Sequence, residues 1–112
     1  MPFDTANEVL AYPCVVEAIR RGILTLDGNR VIYRLNQQKS YLWTDPEEWV
    51  RAYTISWLII ERDYPIGRIR TEVTVPRRTP NDLADIVVYR DDRCRDPYLV
   101  VENKASGQGE RE

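Results

Sequence analysis

Two short apolar runs limit what this chain can become. Leu83–Tyr89 (LADIVVY) and Tyr98–Glu102 (YLVVE) are too short for ordinary helices and rich in β-branched and aromatic residues, so both read as strands. Their apolar residues follow one another almost without a break, the pattern of central strands buried on both faces. A third run, Arg68–Val75 (RIRTEVTV), alternates apolar and polar residues as a half-exposed strand should. The links at Arg77–Asn81 and Arg90–Pro97 are short enough to make neighbouring strands antiparallel. Ahead of the strands, Thr44-Asp45-Pro46-Glu47-Glu48 opens a helix: Asp45 fits the N-cap, Pro46 the first helical position, and Glu48 completes a capping-box pattern. Trp49, Val50, Tyr53, Trp57, Leu58 and Ile60 give an apolar stripe at helical spacing, and Pro65 stops the helix. The order helix, strand, strand, strand predicts an α+β layer.

Before this unit, residues 5–21 hold helix-compatible pieces on either side of Pro13, and GILTL and VIYRL flank Asp27-Gly28-Asn29-Arg30, a good hairpin signal. Residues 1–43 therefore read as a helix and hairpin appendage, and residues 44–112 as the main unit, within one compact domain overall; 112 residues leave room for no more. At 43% apolar and 30% charged residues the composition is that of a soluble globular protein. No apolar run approaches the roughly 20 residues of a membrane span. The N-terminus shows no secretory pattern, and Cys14 and Cys94 form no C-x-x-C motif. Together these predict a cytoplasmic protein whose cysteines are small buried residues.

The sequence contains no histidine, which excludes Ser-His-Asp and Cys-His catalysis and most zinc hydrolases. Acid–base or metal chemistry must rest on carboxylates, lysine and tyrosine. Carboxylates interrupt both apolar strands: Asp85 stands alone in LADIVVY, and Glu102 and Lys104 end YLVVENK. Residues i and i+2 of a strand share a face, so Glu102 and Lys104 project together, and Asp85 stands beside Glu102 if the strands pair. Two converging carboxylates suit a hard divalent cation such as Mg²⁺, and a nearby lysine can orient water or stabilise charge on a phosphoryl group. The plainer reading is a satisfied strand aspartate and an exposed E-x-K ion pair. Burying carboxylates in apolar strands is costly without such a purpose. Glu48 has two readings, a further metal ligand projecting from the helix or the cap residue, and Glu72 reads as a flanking acid or an ion-pair partner of an arginine. The net charge of −2 does not announce a nucleic-acid binder, but 14 of the 16 cations are arginines, suited to phosphate. Arg77 and Arg78 are the candidate DNA contacts in a local basic strip.

The runs DPEEWVRAYTISWLIIERDYPIGRIRTEVTV, ADIVVYR and PYLVVENKA resemble, in order, the N-terminal domain of type I restriction enzyme R subunits, a PD-(D/E)xK nuclease. The resemblance covers about Tyr33 to Ala105. It implies an α/β/α restriction-endonuclease-like core, of which these residues are the front part, with Asp85 and Glu102 as metal-binding acids and Lys104 as catalytic lysine. It departs from the family pattern at Ala84, which stands where a proline precedes the metal-binding acid. The implied activity is Mg²⁺-dependent cleavage of double-stranded DNA, with modification and specificity subunits as partners and ATP used only by domains outside this chain. Two alternatives remain: a catalytically silent copy used for DNA binding or assembly, and the head of a modification methyltransferase.

Overall fold

The computed structural model describes residues 3–74 and 83–102. Thr5 caps a short helix α1 (Ala6–Leu10), and Pro13 ends that run by opening the next helix, α2 (Pro13–Arg20), at a position where its missing N–H costs nothing. β1 (Leu24–Asp27) and β2 (Arg30–Arg34) form the expected hairpin, with Asp27 opposite Arg30. Gly28, at φ 61°, takes the first place of the two-residue turn, where a Cβ would be strained. A third strand, β3 (Gln38–Leu42), pairs antiparallel with β2 and makes the hairpin a three-stranded sheet. Its residues are mostly exposed, so they carry no hydrophobic pattern by which the strand could be read.

Helix α3 (Pro46–Ser56) follows, with Asp45 accepting from the Glu47 N–H, and continues as a π-helical turn, Trp57–Glu61. A 3₁₀ turn (Ile66–Arg68) leads to β4 (Ile69–Thr74), β5 (Leu83–Tyr89) and β6 (Pro97–Val101). These three strands pair antiparallel in the order β4-β5-β6. The described residues thus form an α+β fold, as expected. None of their helices is long and apolar enough to cross a membrane.

β5 is buried on both sides: Ile86 and Val88 join the main core, while Val87 and Tyr89 are covered with Cys94 in a smaller cluster. β6 departs from expectation. It is an edge strand among the described residues, with Leu99 and Val101 packed on the core and Tyr98 and Val100 exposed. The main core is continuous across both sheets, joining Leu24, Val31 and Tyr33 to Ala52, Ile55, Leu58, Ile69 and Ile86. Asn36 ties the sheets directly: its N–H donates to the Ile69 carbonyl (3.2 Å), its Nδ2 to the Gly67 carbonyl (2.8 Å), and its Oδ1 accepts from Arg70 Nε (2.8 Å).

The buried face of α3 also differs from the apolar stripe. Glu48, Arg51, Ala52, Ile55 and Ser56 are its buried residues, the i, i+3, i+4, i+7, i+8 set of a single face. Leu58 is buried as well, Trp49, Val50, Tyr53 and Ile60 pack half-buried along its flanks, and Trp57 is exposed. The largest apolar side chains therefore flank the contact, while two charged residues lie within it.

Candidate functional site

Glu48 occupies the third position of α3, close to the positive end of the helix, and its side chain does not complete the cap. It is only 4% exposed, and its Oε2 accepts from Tyr33 Oη at 2.6 Å. One turn on, Arg51 is 8% exposed. Its Nη2 donates to Glu72 Oε2 at 3.1 Å, and its Nη1 reaches the Asp85 carbonyl at 3.5 Å, the outer limit of a hydrogen bond. Its Cζ lies 4.3 Å from the centre of the Tyr41 ring, a cation–π distance. Arg51 Nε stands 3.2 Å from Glu48 Oε2, yet its N–H is not aimed at that oxygen and makes no hydrogen bond. The contact is thus one of charge rather than a shared proton. Tyr41 Oη shares a 2.7 Å hydrogen bond with the buried Thr71 Oγ1, fixing the ring beneath the guanidinium.

The electrostatics follow from burial. Desolvation raises the pKa of Glu48 above the ordinary value, against the opposing pull of Arg51 and Tyr33. Burial also pushes the Tyr33 phenol well up, and the Glu48 charge adds to the effect. Burial works against the Arg51 charge, but Glu48 and Glu72 outweigh it and the guanidinium is held more firmly protonated than usual.

The strand acids are placed by register. Thr71 pairs with Ile86 and Val73 with Ala84, so Glu72 falls opposite Asp85. On the other side Ile86 pairs with Val101, the last residue of β6, and Glu102 is the residue that follows. Glu72 and Asp85 thus lie on neighbouring strands, and Glu102 follows the strand on the other side of β5. Glu72 takes φ 52°, a left-handed backbone that costs a non-glycine residue energy and persists only where its surroundings enforce it. Its ion pair with Arg51 is one such constraint.

Asp45, Glu47, Glu48 and Arg51 from the start of α3, Tyr41 and Leu42 from β3, and Glu72 and Asp85 from the sheet line a single open cleft of about 390 Å³. Glu48, Glu72 and Asp85 thus line one cleft, and Glu102 is not part of its lining. Asp91, Asp92 and Asp96 lie elsewhere, in the turn before β6, where Asp91 accepts from the Arg95 and Asp96 N–H groups. Lys104, Arg77 and Arg78 fall outside the described residues. Arg51, Tyr33 and Tyr41 went unread as site residues. For Arg51 a signal exists in the sequence: Glu48 and Arg51 are in helical phase with Ala52, Ile55 and Ile59, so a charged pair was bound for the buried face. The tyrosines offer no such signal, because only the tertiary fold brings β2 and β3 to the helix.

The sequence pattern of the type I restriction enzyme R protein N terminus matches residues 46–112. The chain belongs to this family. Comparison with curated proteins gives no match, and neither does comparison with solved structures. A member of this family is part of a restriction enzyme, so DNA is the substrate of the enzyme to which such a region belongs, and the R protein is one component of it. Glu48, Arg51, Glu72, Asp85 and Glu102 all lie within the matched segment, whereas Tyr33 and Tyr41 precede it. The family segment is therefore completed at its cleft by residues of the preceding sheet.

Proposed function

We propose that this region is the DNA-cleaving module of its restriction enzyme, a Mg²⁺-dependent endonuclease in which Asp85 and Glu102 hold the cation and Lys104 acts beside it. The observation that supports this reading is Asp85 on β5 in the acid-lined cleft, beside the strand that Glu102 directly follows. Carboxylates are donors of the type Mg²⁺ takes, and it needs only one or two from protein, with water and phosphate completing its shell. When bound, the cation supplies charge to the phosphate oxygens and acidifies the attacking water. Asp85 and Glu102 would be the residues that hold it. Lys104, two residues beyond Glu102, adds a positive charge where the phosphate gains negative charge.

The test is DNA cleavage by the intact restriction enzyme with Asp85→Ala or Lys104→Ala. Loss of one such stabilising group costs roughly a hundredfold or more in rate. Cleavage should fall by at least that much while DNA binding and ATP hydrolysis persist; near-normal cleavage by either variant removes that residue from the mechanism. A second reading, a catalytically silent module for DNA binding or subunit assembly, draws on two observations. No group of three metal-holding side chains forms among the described residues, and a guanidinium already sits against two of the cleft acids. A fall in DNA binding or assembly with cleavage chemistry unaffected would favour it.

A further inference from the structure

A regular strand sends alternate residues to opposite faces. β4 keeps that rule only as far as Thr71. Ile69 belongs to the main core, and the buried Thr71 bonds to Tyr41, which packs against the same core. Val73 should follow them, yet it lies with Val87 and Tyr89 in the smaller cluster, together with its strand partner Ala84. The change of face falls at Glu72, whose φ of 52° is left-handed. Glycine takes that backbone without steric cost and a glutamate does not. The Glu72 side chain is 41% exposed, so its packing does not offset the strain. What the turn achieves is the delivery of a carboxylate. In an unbroken strand Glu72 would point away from the side that Thr71 faces. Here Glu72 Oε2 accepts from Arg51 Nη2 at 3.1 Å, and Thr71 Oγ1 meets Tyr41 Oη at 2.7 Å. Arg51 and Tyr41 are themselves stacked, Cζ lying 4.3 Å from the ring centre. Two consecutive residues of one strand thus grip both members of a single stacked pair.

We propose that Glu72 is a positioning residue of the cleft: its left-handed backbone brings its carboxylate to Arg51, and Arg51, held so, fixes β5 against α3. On β5 the contact is the Asp85 backbone carbonyl, which Arg51 Nη1 reaches at 3.5 Å. On α3, the helix that carries Arg51, the neighbour is Glu48, whose Oε2 lies 3.2 Å from Arg51 Nε. Glu72 thereby sets the spacing between the helix and the strand that both line the cleft. Resting on the nuclease reading for what the cleft does, this role needs no contact of Glu72 with DNA or with a cation.

Two substitutions separate the carboxylate from the strain. Glu72→Gly and Glu72→Ala both remove the carboxylate, but only the glycine variant also relieves the left-handed backbone. In thermal unfolding of the full chain Glu72→Gly should therefore melt above Glu72→Ala. In the intact restriction enzyme, at saturating DNA, the two should cleave more slowly than wild type by the same factor. That factor is on the order of tenfold to a hundredfold, the size expected for a group that orients others, with DNA affinity and ATP hydrolysis unchanged. Cleavage that follows the melting temperature, low in Glu72→Ala and near wild type in Glu72→Gly, would reduce Glu72 to a structural turn and overturn the proposal. So would a loss confined to DNA affinity, wild-type cleavage by both variants, or a glycine variant that melts no higher than the alanine one. Asp85→Ala in the same assay tells the two readings apart. If it abolishes cleavage while Glu72→Gly leaves it unchanged, the role of Glu72 alone falls. If Asp85→Ala cleaves normally, the nuclease reading falls and the role of Glu72 with it.

Discussion

Tyr33 and Glu48 show how one buried hydrogen bond ties stability to pH. Tyr33 is fully buried and donates at 2.6 Å to a carboxylate that is itself almost fully buried. A hydrogen bond to a charged group is worth about 1.5–3 kcal/mol. Tyr33→Phe should therefore destabilise the protein by about 2 kcal/mol in urea unfolding at neutral pH. The loss should shrink as the pH falls. Burial raises the Glu48 pKa above 4.5, with Arg51 and Tyr33 pulling it down and Glu72 and Asp45 pushing it up. Between 4.5 and the raised value the folded protein keeps a proton that the unfolded chain has released. The contribution of Glu48 to stability is thus complete below 4.5 and is lost as pH rises through the folded value. The Phe variant, lacking a donor to the carboxylate, should lose more over that rise. Parallel stability–pH curves for the two proteins would show that Glu48 does not titrate in this window.

At the scale of elements, helix α3 connects everything: its buried face meets the core shared by both sheets, and its first turns build the cleft wall. Unfolding should accordingly be a single transition. Tryptophan emission from Trp43, Trp49 and Trp57, which flank α3, and far-ultraviolet dichroism, which sees both sheets, should give coincident curves. Separate midpoints would mean that the β1–β3 sheet unfolds on its own. The same packing explains what could be read in advance. β5 was legible to the residue because burial on both sides leaves an unbroken apolar run, and α3 because its cap residues are local. β3 was not, since a strand with most side chains exposed has no pattern to display. The buried face of α3 differs from the apolar stripe because the aromatic residues flank the contact while Ala52 and Ser56 are the fully buried ones. Asp85 and Glu102 stood out as charges within apolar runs, whereas the meeting of Asp85 with Glu48 and Glu72 in one cleft depends on the tertiary fold. Arg51 looked like one arginine among many.

For the molecule as a whole, charge and surface together govern how it meets DNA and copies of itself. Its formal charge of −2 gives little long-range attraction to a polyanion, and the cleft is lined by more acids than arginines. That suits a module brought to DNA by the rest of its enzyme. The edge strand β6 has a practical counterpart to this. Tyr98 is 55% and Val100 41% exposed on this strand, which is an edge among the described residues. Such an edge is a template for strand addition, and a charge of −2 repels neighbouring copies only weakly. Concentrated solutions of the isolated chain are therefore expected to turn viscous or cloudy, sooner in sulfate, which strengthens apolar association. A single lysine in place of Val100 should keep them clear, because a charge pointing outward from an edge strand obstructs the arriving strand.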